Sequence, residues 1–113
     1  MLNRTAVILK CKEPFIRWVN KSDSNGKNPD ITQSDANEDK TVYLISDDDG
    51  ENIDNWVRLN FKSLFEAELE DWYRDKNLWP KERDYKMFKD WFDVEWHSVI
   101  IDTVGEGIVD YGT

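Results

Sequence analysis

Four carboxylates surround a glycine in the segment LISDDDGENIDNW (residues 44–56), a combination typical of calcium loops. An EF-hand loop needs oxygen ligands at positions 1, 3 and 5, glycine at position 6 and a bidentate glutamate at position 12. With Gly50 at position 6, Asp47 and Asp49 fall at positions 3 and 5. Position 12 is then Trp56, which has no oxygen to offer, and position 1 is also apolar. The EF-hand is therefore excluded.

The same acidic residues also suit the start of a helix. Ser46 ends a predicted strand, and Glu51 and Asp54 lie at the head of the longest predicted helix. Carboxylates there accept hydrogen bonds from unpaired backbone N–H groups and complement the helix dipole, which contributes about 1 kcal/mol. We favour capping because it is ordinary helix-start chemistry. A looser magnesium or calcium site on Asp47 and Asp49 is the alternative.

Cys11 and His97 are the only cysteine and the only histidine, and together they could supply a nucleophile and its base. Such a pair requires the first and third predicted strands to be adjacent, with both side chains on one face. No local signature of a cysteine enzyme surrounds Cys11. We therefore expect both residues to fill the core.

Glu68 is the most unusual candidate. On a helical wheel it falls inside an apolar stripe, between Val57 and Phe61. A carboxylate in that position needs a partner if it is buried. We expect a salt bridge or hydrogen bond to an Arg, a Lys or His97. The alternative is a pocket carboxylate in an aromatic-lined cleft.

Aromatic and basic residues alternate through residues 72–91, which is typical of surfaces that bind single-stranded nucleic acid or protein. Acidic residues in the same segment offset most of the charge, and the aromatic residues follow helical spacing, which favours core packing. The linker NLWP (residues 77–80) predicts a partly exposed Trp79. Trp79, with Trp18 in the first predicted helix, is our candidate interface anchor.

Motifs of the well-known enzyme classes are absent from the sequence. It contains no glycine-rich phosphate loop, no paired-cysteine zinc pattern, no HExxH and no GxSxG. We therefore expect no catalytic residue, no cofactor and no metal, with Glu68, His97 and Cys11 as the candidates if the protein is an enzyme.

These residues must be positioned by a small α+β fold with the order β-α-β-α-α-β-β. We predict a mixed sheet of about four strands with helices packed on it, and a mobile polar loop at 22–40. Hydrophobic periodicity predicts strands at 5–11, 41–46, 94–103 and 108–111, and helices at about 14–21, 53–73 and 82–92.

Length and charge narrow the class of protein. The 113 residues fit one domain, and six Trp, four Tyr and five Phe supply its core. The net charge is −9, and residues 20–55 hold three Lys against ten acidic residues. Negative charge argues against nucleic acid or an anionic membrane as the main partner. A single cysteine and no signal-peptide core predict a cytoplasmic protein.

Four segments resemble a group of short uncharacterised bacterial proteins. They are VYLISD (42–47), LFEAELEDWY (64–73), LWPKERD (78–84) and WFDVEWHS (91–98). The resemblance covers residues 5–18 and 41–103, and it implies a bacterial, cytoplasmic, single-domain protein without implying any activity.

Three functional hypotheses follow. The first is a non-enzymatic protein–protein interaction module that self-associates or docks on another protein through Trp-rich surface. The second is a small ligand-binding or hydrolase-like domain that uses Glu68 and His97, with Cys11 in the same cleft. The third is an acidic mimic of nucleic acid.

Overall fold

The structure is a computed structural model that describes residues 1–23, 26 and 29–112. The elements in chain order are β1 (Arg4–Cys11), α1 (Glu13–Ser22), α2 (Gln33–Ala36), β2 (Tyr43–Ser46), α3 (Asp47–Gly50), α4 (Ile53–Trp72), a 3₁₀ turn (Lys76–Leu78), α5 (Tyr85–Trp91) and β3 (Phe92–His97). The fold class is α+β, as predicted. No helix within these residues is both long enough and apolar enough to cross a bilayer.

The three strands form one antiparallel sheet in the order β2-β1-β3. The centre is β1, as its apolar side chains on both faces indicate. Alternate residues of β1 point towards the helices and are at most 2% exposed; they are Thr5, Val7, Leu9 and Cys11. The helices therefore cover one face of the sheet and build the core against it.

Aromatic rings join the helices to this face. The ring of Phe65 in α4 lies 5.9 Å from that of Phe88 in α5, 5.4 Å from Trp91 and 5.5 Å from Phe92. Phe15 of α1 packs against Phe92 at 5.1 Å. Tilted and edge-on ring pairs at these distances add to the free energy of burial. These five rings thus form one continuous cluster within the core.

Two asparagine side chains hold the described part of the polar segment 22–40 against the body. Asn20 accepts a hydrogen bond from the N–H of Ile31 at 2.9 Å and donates to its carbonyl at 3.0 Å. Asn37 bonds both backbone groups of Cys11 in the same way, at 2.7 and 3.0 Å. A side-chain amide has one donor group and one acceptor group. It can therefore bond to both backbone groups of one residue, as a neighbouring strand would. Residues 24, 25, 27 and 28 of the predicted loop lie outside the described residues.

The sheet differs from the prediction in three ways. It is wholly antiparallel, not mixed, and within the described residues it has three strands, not about four. The third strand ends at His97 instead of 103, because its register pairs His97 with Ala6 and β1 begins two residues earlier. Residues 108–111, the predicted fourth strand, have no strand conformation, because the chain leaves the sheet after His97 and returns to neither outer edge, on β2 or on β3.

The helix starts also differ in detail. The predicted turn at 47–50 is the short helix α3, whose first turn is capped by Ser46: its hydroxyl accepts from the N–H of Asp49 at 3.2 Å. The long helix α4 is capped by Asn52, which accepts from the N–H of Asn55 at 3.2 Å. Glu51 is therefore not the cap that the acidic pattern predicts, although Asp54 does lie in the first turn of α4.

Candidate functional site

Glu68 forms the centre of a buried polar cluster. Its side chain is 1% exposed, and it forms a salt bridge with Lys40, whose side chain is 8% exposed. Its second oxygen accepts a hydrogen bond from the Tyr43 hydroxyl at 2.7 Å. Lys40 also lies 3.6 Å from the sulfur of Cys11. The core therefore holds one ion pair with a phenol and a thiol beside it.

Three groups of the cluster keep their protons more strongly than usual. Burial raises the pKa of the Cys11 thiol, and burial followed by the charge of Glu68 raises the pKa of Tyr43. Burial alone would lower the pKa of Lys40, but the hydrogen bond and the charge of Glu68 outweigh it, so its pKa is raised. A protonated thiol is a poor nucleophile. The cluster therefore has a structural role: it links Lys40, in the segment before β2, to Glu68 of α4.

His97 lies apart from this cluster. Cys11 pairs with Phe92 at one end of β3, and His97 is at the other end, about 16 Å along the strand. Successive side chains of a strand alternate between its faces, and His97 is five residues after Phe92. The side chains of His97 and Cys11 therefore lie on opposite faces of the sheet. His97 is exposed and contacts Glu95 at 3.1 Å. The structure thus brings Cys11 and Glu68 together but does not bring His97 to them, so no single cleft contains all three.

The acidic residues at 47–49 lie on the surface. Asp49 is bonded to the Ser46 hydroxyl at 3.0 Å, and Asp47 and Asp48 are exposed in the first turn of α3. Across the described residues, no group of three or more His, Cys, Asp or Glu side chains converges on a point that could hold a metal ion.

An apolar groove of about 740 Å³ lies between α1, the 3₁₀ turn and α5. We call it the tryptophan groove. It is lined by Pro14, Arg17, Trp18, Lys21, Ser22, Asn77, Leu78, Trp79, Pro80, Met87 and Trp91. Three of the six tryptophans of the chain lie in this one surface. Both predicted interface residues, Trp18 and Trp79, belong to it.

The tryptophan rings are held rigidly. The indole N–H of Trp18 donates to the carbonyl of Leu78 at 2.9 Å, and that of Trp79 donates to the carbonyl of Tyr73 at 2.7 Å. Trp18 also packs against Trp91 at 6.1 Å and edge-on against Tyr73 at 5.4 Å. Trp79 is 7% exposed, so it is buried in the wall and not partly exposed as predicted.

The charge of the groove is opposite to that of the protein. Among the described residues that line it, Arg17 and Lys21 are cationic and none is acidic, while the whole chain has a net charge of −9. Lys76 and Arg83 lie 5.8 and 5.7 Å from the centre of the Trp79 ring. An apolar floor with a cationic border favours a ligand that has both apolar and acidic groups.

The sequence predicts Trp18 and Trp79 as interface residues but does not predict the other residues of the groove. The available signal was on α1, where Pro14, Trp18 and Ser22 recur every fourth residue and so share a face. Lys40 and Tyr43, the partners of Glu68, were not identifiable, because they come from a polar segment and an edge strand far away in the sequence.

Comparisons with known proteins give this chain no relative: no family model matches it, and no curated protein and no solved structure is significantly similar to it.

Proposed function

We propose that this protein is a non-enzymatic interaction module that binds an extended peptide segment in the tryptophan groove. The observation that carries the proposal is the coincidence of three tryptophans and two cations in one concavity of an acidic protein. Tryptophan and arginine are the residues most enriched at binding hot spots.

The size of the groove favours a short extended segment. Pro14 and Ser22, the first and last lining residues on α1, are eight residues apart, so the groove follows α1 for about 12 Å. That length accommodates about four residues of extended chain. Ser22 and Asn77 supply polar groups that can bond to a peptide backbone.

Rigid walls lower the cost of binding. Both indole N–H groups are already bonded to backbone carbonyls, and the rings rest on the aromatic core. Little side-chain freedom is lost when a ligand arrives, so more of the contact free energy contributes to affinity. The buried Glu68–Lys40 cluster offers no comparable surface, since its charged groups already bond to each other.

The test is a selection of random peptides displayed on phage against the intact protein. Each selected peptide is then measured against Arg17→Glu/Lys21→Glu, which reverses the charge of the groove at two exposed positions. We expect peptides rich in apolar and acidic residues whose dissociation constants rise at least about tenfold on the variant.

The matched control is Lys62→Glu/Arg74→Glu, which changes the net charge equally at two exposed positions outside the groove. It should leave the dissociation constants within about twofold, because neither side chain lines the groove. Peptides that bind equally well to all three proteins, or a selection that yields no binder, would contradict the proposal.

A further inference from the structure

The C-terminal tail, residues 98–112, matches the groove in chemistry. Within it, six apolar side chains are between 64% and 95% exposed: Val99, Ile101, Val104, Ile108, Val109 and Tyr111. A small domain rarely leaves so many apolar side chains of one segment uncovered. The tail also contains Asp102, Glu106 and Asp110 but no Lys or Arg.

The stretch 108–111 has the required length and pattern. Ile108, Val109, Asp110 and Tyr111 are four residues, three of them apolar and one acidic. The groove accepts about four extended residues on an apolar floor beside Arg17 and Lys21. Tyr111 has the most exposed side chain of the tail, at 95%. Aromatic, apolar and anionic groups thus have counterparts in the groove.

The tail of the same molecule does not fill this groove. It leaves the sheet after His97, whereas Trp91 of the groove adjoins the other end of β3. The carbonyl of Ile100 in the tail accepts a hydrogen bond from the N–H of Leu2 at 2.7 Å. Among the described residues, the lining of the groove includes none from the tail. The exposed tail and the open groove therefore lie at separate places on one molecule.

On these grounds we infer that residues 108–111 of a second copy of this chain occupy the tryptophan groove, in a symmetric dimer that exchanges its tails. The inference rests on the proposed peptide-binding function and names the partner. A two-fold arrangement uses both grooves and both tails, so the contact is made twice. Doubling the contact helps the interface reach the roughly 1,000 Å² that specific association needs.

The first experiment measures the mass of the full chain by light scattering during size-exclusion chromatography, at two concentrations a hundredfold apart. We expect a dimer at the higher concentration. Val109→Ser/Tyr111→Ser should raise the dimer dissociation constant at least about tenfold, because it removes apolar contacts from both grooves. Val99→Ser/Ile101→Ser is the matched control, with similar exposure outside the docking stretch, and should change it less than about threefold.

A charge exchange tests the contact itself. Arg17→Glu and Asp110→Lys should each weaken the dimer, and the two together should recover part of the lost affinity. Mixing Val109→Ser/Tyr111→Ser with Arg17→Glu/Lys21→Glu should give a heterodimer with one intact groove–tail contact, weaker than the wild-type dimer but stronger than either variant's own dimer.

The outcomes separate the two proposals. A full chain that stays monomeric at both concentrations overturns the tail exchange, while phage-selected peptides that depend on the groove still support peptide binding. A dimer that Arg17→Glu and Asp110→Lys leave unchanged also overturns the exchange, because that dimer uses another surface. If no selected peptide depends on the groove, the proposed function fails, whatever the oligomeric state.

Discussion

At the scale of single residues, the Glu68–Lys40 pair has the most consequences for stability. Lys40→Met removes the cation that pairs with the buried side chain of Glu68, so we expect the free energy of unfolding to fall by about 3–5 kcal/mol. The measurement is urea denaturation of the wild-type protein and the variant at neutral pH.

The control for this prediction replaces the whole cluster. Lys40→Met/Tyr43→Phe/Glu68→Leu removes the ion pair and its phenol partner together, so no carboxylate, ammonium or phenol of the cluster is left without a bond. Replacing a buried ion pair by apolar groups of similar volume is often neutral or stabilising. The triple variant should therefore be more stable than Lys40→Met. A triple variant as unstable as the single one would contradict this account.

Gly50 is required for close packing against β1. A Cβ atom added at Gly50 would lie 2.2 Å from the hydroxyl oxygen and 2.9 Å from the Cβ of Thr5, which is 2% exposed. Gly50→Ala should therefore lower the free energy of unfolding by about 1–3 kcal/mol. Gly105→Ala, which has open space around it, should stay within about 0.5 kcal/mol. Equal effects in thermal or urea unfolding would contradict the packing explanation.

At the scale of elements, the start of α4 depends on Asn52 and not on Glu51. Asn52→Ala removes the oxygen that accepts from the N–H of Asn55, so it should cost about 0.5–2 kcal/mol of stability. Glu51→Ala, at the adjacent exposed position, should change stability by less than about 0.5 kcal/mol. Urea denaturation of both variants measures the difference. A larger loss of stability for Glu51→Ala than for Asn52→Ala would show that Glu51 caps α4, as the sequence pattern predicts.

The elements with strong periodicity were predictable, and those that depend on pairing were not. Helix α4 was predicted at 53–73 and spans Ile53–Trp72, because its apolar stripe is a property of the segment itself. The stretch 108–111 contains the β-branched and aromatic residues typical of a strand, yet it pairs with none of the three strands. Helix α5 begins at Tyr85 instead of 82, because Asp84 caps it through the N–H of Met87.

At the scale of the whole molecule, stability should fall in alkaline solution. The pKa values of Cys11, Tyr43 and Lys40 are all raised in the folded state, above ordinary values of 9.0, 10.0 and 10.5. Above about pH 9 the unfolded chain releases these protons while the folded chain keeps them, so the free energy of unfolding decreases with pH. This contribution is fully present below pH 9.0.

Urea midpoints measured between neutral pH and about pH 11 check this prediction. Cys11→Ala should flatten the first part of the decrease, where the thiol of the unfolded chain titrates, whatever its effect on stability at neutral pH. A midpoint that stays constant across that range would show that the cluster does not hold its protons as the structure indicates.

The sequence alone determined the α+β class, the long helix α4 and the need of Glu68 for a partner. These follow from local patterns of apolar and polar residues, which each segment contains in full. Only the tertiary structure decided that Lys40 is that partner, that His97 lies apart, and that Trp18, Trp79 and Trp91 meet in one groove. These contacts depend on strand order, register and helix packing, which bring together residues far apart in the chain. They therefore cannot be predicted from the pattern of any single segment.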